Sequence, residues 1–153
     1  MFKKILTAIR GGVNEAGEAI VDSQGMRILT QEIRESKAEV DKAESQLAKV
    51  IADSKRTEVK VETAKAQYND YAAKLEKIKA SGDTELAAEL QSRMQSVLAD
   101  HNENKAVLEQ QNKSVTQLKN LLTKNRKSIE SAERQIGVLK TQESLNSAKS
   151  SLV

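Results

Sequence analysis

The 153-residue chain has no cysteine, proline or tryptophan, one histidine, two tyrosines and one phenylalanine. Each absence excludes something. Without cysteine there are no disulfides, thiolate zinc sites or thiol nucleophiles, a composition suited to a reducing cytosol. Without proline the strongest helix breaker is gone, and six glycines give too little punctuation for an all-β fold. Three aromatic residues cannot anchor an ordinary globular core or line a cofactor pocket. No apolar run exceeds three residues, so nothing approaches the roughly 20 needed to cross a bilayer. Lys3-Lys4 followed by five residues up to Ile9 is too short for a signal peptide, because Arg10-Gly11-Gly12 interrupts it.

What is present is helical. Ala, Glu, Lys, Leu and Arg supply close to half of the residues, the composition of long helices and coiled coils when a matching period accompanies it. The 25 basic residues are interspersed with 22 acidic ones, for a net charge of only +3. There is no basic block and too few aromatics to stack bases, which argues against nucleic-acid binding.

Three segments follow from periodicity. In residues 1–22, Phe2, Ile5, Leu6, Ile9, Val13, Ala16 and Ile20 fall within a 100° arc of a helical wheel, an amphipathic helix. Asp22-Ser23-Gln24-Gly25 then reads as a break, with Gly25 able to supply a positive φ. From Met26 a strict 3-4 alternation begins. Its a positions are Met26, Ile33, Val40, Leu47, Ser54, Val61, Tyr68 and Leu75. Its d positions are Leu29, Ser36, Ala43, Val50, Thr57, Ala64, Tyr71 and Ile78, and thirteen of the sixteen are apolar. Gly82 suits a left-handed helix C-terminus, and Asp83 suits the next N-cap. A second array follows, with Met94, His101, Leu108, Val115, Leu122, Ile129 and Ile136 at a. Leu90, Val97, Asn104, Gln111, Leu118, Asn125, Ala132 and Leu139 stand at d, giving eleven apolar residues of fifteen.

The fold expected is all-α: a long antiparallel coiled-coil hairpin spanning 23–143, with arms at about 26–80 and 84–142 and a tip at 81–83. Folding at Gly82 pairs residues whose numbers sum to 164 or 165, which sets Ser54 against Gln111, Ile78 against Leu86 and Met26 against Leu139. Pairs such as Asp70/Lys74, Glu89/Arg93, Glu109/Lys113 and Glu130/Arg134 support the helices from outside. Residues 144–153 are serine-rich and leave the heptad register, as a fraying helix end or a linker would.

No segment carries catalytic chemistry. His101 lacks a second ligand and reads as a polar seam residue, as do Asn104, Gln111 and Asn125. No phosphate loop, nucleophile elbow or dinucleotide fingerprint occurs, and the chain is expected to be no enzyme and to use no cofactor or metal. The functional content lies in the first segment. Lys3, Lys4 and Arg10 accompany the apolar arc with no acid among the first thirteen residues, the layout of a helix lying on an anionic membrane. The alternative is a helix that folds back on the hairpin or docks on a partner. Apolar e and g residues, Ile51, Leu98, Val107 and Leu121, widen the stripe beyond a two-helix seam and are candidate contacts between subunits.

The chain resembles the phage shock protein A family, which includes the vesicle-inducing protein of plastids and forms the bacterial branch of the ESCRT-III superfamily. The resemblance rests on Met1-Phe2-Lys3-Lys4-Ile5, on Met26-Arg27-Ile28-Leu29-Thr30-Gln31-Glu32-Ile33 and on the tip Gly82-Asp83-Thr84-Glu85-Leu86-Ala87. It implies a peripheral protein on the cytoplasmic face of the plasma membrane. There it would polymerise with itself to stabilise or remodel membranes in envelope stress. Phe2, Lys3, Lys4, Ile5, Leu6, Ile9, Arg10 and Val13 would form the lipid-facing set. The resemblance also allows a soluble regulator that sequesters an AAA+ transcription activator. The family's C-terminal helices have no counterpart after Val153, so the chain is expected either to be part of a longer protein or to build its polymer differently.

Overall fold

A computed structural model of the protein describes residues 23–152. Two helices account for them, α1 (Ser23–Ser81) and α2 (Thr84–Leu152), packed as an antiparallel coiled-coil hairpin. The segment 1–22, expected as an amphipathic helix, lies outside the described residues, and so does Val153.

The tip follows from local chemistry. Gly82 has φ +79°, a left-handed conformation that side chains with a Cβ resist. Its N–H donates to the Lys79 carbonyl at 3.3 Å and the Ser81 hydroxyl to the Ile78 carbonyl at 2.8 Å, so the last turn of α1 is closed by local bonds. Asp83 caps α2: its Oδ1 accepts from Leu86 N–H at 3.1 Å, and its carbonyl accepts from Ala87 N–H at 3.1 Å. Lys79 in the last turn of α1 and Glu85 in the first turn of α2 each oppose the helix dipole with the favourable sign.

The described residues form two compact units. Unit 1 joins the α1 residues up to Gln46 to the α2 residues from Leu118 onward. Its seam buries Met26, Leu29, Ile33, Val40, Leu122, Ile129, Ala132 and Ile136, together with Ser36 at 0% exposure. Two ion pairs cross it, Lys37 with Glu133 (2.6 Å) and Arg126 with Glu44. All four residues occupy e positions, and in each pair the numbers sum to 170. An e residue stands four places after a and one after d, so such pairs flank a–d′ layers summing to 165. Burial agrees: every residue of α2 from 141 to 152 is exposed, and Leu139, the last covered seam residue, sums with Met26 to 165.

Unit 2 comprises Leu47–Gln117 and contains the tip. Every a and d position in it is buried or half-buried, but only Ala64, Leu75 and Leu90 are fully buried apolar residues, beside Ser54 and Thr57. Asp70–Lys74 and Glu89–Arg93 close as helix-surface pairs, each at 3.1 Å. Glu109/Lys113 and, in unit 1, Glu130/Arg134 do not.

Two expectations, at Gly25 and Leu86, need correction. Gly25 does not break the chain; it lies within the first turn of α1 without a positive φ. The cost of a helical glycine, about 1 kcal/mol, is outweighed by burial of Met26 and Leu29 just beyond it. In the register summing to 165 Ser54 stands opposite Gln111 as expected, and its hydroxyl donates to Asn112 Oδ1 at 2.8 Å, one residue further on. Leu86 stays exposed, because the helix starting at Thr84 places Ala87 on the seam instead. Of the two readings of the serine-rich stretch, helix end or linker, the described residues take the first, as the exposed end of α2. Serine costs a helix only a few tenths of a kcal/mol, so extending an established helix through it is cheap.

Candidate interaction surfaces

In an antiparallel pair the a and d residues close the seam, leaving two long flanks. One carries the e and b positions of both helices, the other the g and c positions. The candidate subunit contacts are divided between them. In unit 2, Leu98 (41% exposed) and half-buried Ile51 stand at e, and Val107 (43% exposed) stands at g on the opposite flank. Leu121, also at g and exposed, belongs to unit 1. Within unit 2 the structure therefore sets Ile51 and Leu98 on one flank and Val107 on the other. The lipid-facing set Phe2, Lys3, Lys4, Ile5, Leu6, Ile9, Arg10 and Val13 lies outside the described residues.

The e/b flank of unit 1 is polar. It holds a shallow groove of about 370 Å³ lined by Thr30, Ile33, Arg34, Lys37, Glu133, Ile136, Gly137 and Lys140. Gly137 contributes to the opening, since a Cβ there would meet nothing within 4 Å. The g/c flank of the same unit is different. Exposed Ile28, Leu121, Val138, Leu145 and Leu152 all occupy c or g positions, and they are all of the large exposed apolar residues in the described part of unit 1. The expected contacts at e and g do not include these c positions. The seven-residue spacing of Val138, Leu145 and Leu152 was the signal that would have found them.

Polar seam residues give unit 2 its chemistry. Ser54 is satisfied by Asn112, and the Thr57 hydroxyl donates to the Asp53 carbonyl at 3.0 Å. Gln111 Oε1 is buried and has no hydrogen-bond partner. His101 is half-buried on the seam, with Nδ1 3.4 Å from Asn102 Oδ1. Among the described residues no group of three His, Asp or Glu side chains is placed to hold a metal, and no helix is long and apolar enough to cross a membrane.

The model of the PspA/IM30 family matches residues 1–152. The chain belongs to the PspA/IM30 family. No curated protein matches it. The PspA/IM30 family is one of membrane-associated, self-assembling, ESCRT-III-like proteins of the stress response. Its match covers the amphipathic first segment as well as both arms of the hairpin.

Proposed function

We propose that this chain is a non-enzymatic, peripheral membrane protein of the cytoplasmic face of the plasma membrane. It assembles with itself into polymers that stabilise or reshape the bilayer under envelope stress. The observation that carries the reading is the family match across residues 1–152. The amphipathic pattern of residues 2–13 supports the lipid part. Phe2, Ile5, Leu6, Ile9 and Val13 each gain at most about 1.5–3 kcal/mol on full burial. Lys3, Lys4 and Arg10 each add about 1 kcal/mol near anionic lipid. One such helix binds weakly after ordering costs, so many copies in one polymer are needed to hold a membrane. The exposed Leu98, Val107 and Leu121 and the half-buried Ile51 supply apolar area for contacts between copies.

Flotation with anionic vesicles tests the reading. Ile5→Glu with Ile9→Glu places two charges at the acyl boundary and is expected to abolish flotation even at low salt. Reversing Lys3 and Lys4 to Glu is expected to weaken binding to anionic vesicles only, an attraction screened over about 8 Å at physiological salt. If the unmutated chain floats with no vesicle, the membrane reading fails, and a soluble regulator that sequesters an AAA+ activator takes its place.

A further inference from the structure

The exposed apolar residues of unit 1 lie on one flank, and at its open end they cluster. Val138, Leu145 and Leu152 repeat every seven residues at c of α2, and Ile28 stands at c of α1. With layers summing to 165, these four lie within about 15 Å of the level of Ser23 along the hairpin axis. The α1 side of this flank is acidic: half-buried Glu32 and exposed Glu35 stand beside Ile28, and neither pairs with a base among the described residues. Lys149 is the basic residue of the α2 side near this open end, and Lys42 and Lys124, both at c, stand further toward the tip.

Immediately before Ser23 the chain has 22 residues, about 33 Å if helical, whose apolar arc is accompanied by Lys3, Lys4 and Arg10 with no acid among the first thirteen. An apolar flank edged by carboxylates and an apolar arc edged by cations are complementary in pattern and in charge. They are also tethered at the same end of unit 1, so the effective concentration of one at the other is high.

We infer that, away from a membrane, residues 2–20 dock on the g/c flank of unit 1, over Ile28, Val138, Leu145 and Leu152 and beside Glu32 and Glu35. The docked arc is the one that would enter lipid, so docking and membrane insertion exclude each other. That consequence rests on the proposed membrane reading; the docking does not. A segment docked nine-tenths of the time binds vesicles about tenfold more weakly than a free one. The flank thus sets a threshold of lipid that must be present before the segment leaves it.

The test compares the full chain with Val138→Glu/Leu145→Glu, and separately with Glu32→Lys/Glu35→Lys. Limited trypsinolysis followed by mass spectrometry reads the initial rate of cleavage after Arg10. Vesicles of equal parts phosphatidylcholine and phosphatidylglycerol read membrane binding. Both variants are expected to raise the cleavage rate about tenfold and to lower the lipid concentration for half-maximal flotation by the same factor, with helicity unchanged. Equal cleavage rates in all three chains overturn the proposal. Protection of Arg10 that disappears on dilution also overturns it, because the cover is then a second copy. Faster cleavage in the variants with no flotation by any chain upholds the docking and removes only the membrane reading.

Discussion

Units 1 and 2 share one heptad repeat and fill it differently. Unit 1 fully buries eight apolar residues and one polar residue, Ser36. Unit 2, on a longer stretch of hairpin, fully buries three apolar residues and places Ser54, Thr57, His101, Asn104 and Gln111 along its seam. Apolar burial supplies stability without direction, whereas polar seam groups supply direction at some cost in stability. The difference therefore divides two tasks that a uniform leucine seam would leave unresolved. Unit 1 has the more completely buried apolar seam. Unit 2 disfavours incorrect registers, because a slip breaks the Ser54–Asn112 hydrogen bond across its seam and leaves a part-buried polar pair without partners.

The largest test of this contrast is truncation at matched seam positions. Leu122, 2% exposed in unit 1, is expected to cost about 2–5 kcal/mol when replaced by alanine. Half-buried Leu108 in unit 2 is expected to cost clearly less, because less of its side chain leaves water on folding. Urea unfolding followed by circular dichroism measures both, and equal losses would erase the distinction between the units. A smaller effect sharpens it. Gln111→Leu removes a buried oxygen that has no partner and is expected to raise stability by about 1 kcal/mol. It also makes the pairing less selective, read as additional cross-linked species between engineered cysteines at positions 50 and 115 and their neighbours. A single unchanged cross-linked species would show that Gln111 contributes nothing to register. The smallest effect concerns the ion pairs of unit 1. Lys37 and Glu133 are both more than two-fifths exposed, so Glu133→Gln is expected to cost about 0.2–1 kcal/mol at low salt. The loss should vanish in concentrated salt, and its persistence there would point to packing by the side-chain stems.

Much of the fold was legible because a seam is periodic. All thirty-one a and d positions named from spacing alone are buried or half-buried, and the Gly82-Asp83 tip has the conformation and cap that its residue types favour. The layer that sets Ser54 opposite Gln111 is legible from spacing, whereas the bond it makes is not: a short hydroxyl bonds whichever acceptor lies within about 3 Å, and Asn112 at e is the one that does. Gly25 reads as a break from a propensity of about a kcal/mol, which packing of the residues beyond it overrides. The candidate sites were less legible. Ile51, Leu98, Val107 and Leu121 were grouped as apolar residues beside a stripe, yet e and g residues face opposite flanks. The apolar c positions stood outside the stripe being read.

The link between the helices is so short that it leaves no slack. Gly82 and Asp83 alone separate α1 from α2, which makes the tip the origin from which both arms are counted. Insertions and deletions in this protein are therefore not local events. Removing residues 54–60 alone would leave seven residues of the opposite arm without their partners, displacing every layer beyond the cut by a full heptad. Removing residues 105–111 as well would restore the match and give a shorter hairpin with its remaining layers intact. Length variation compatible with this fold must come as compensated pairs, one in each arm, in steps of seven.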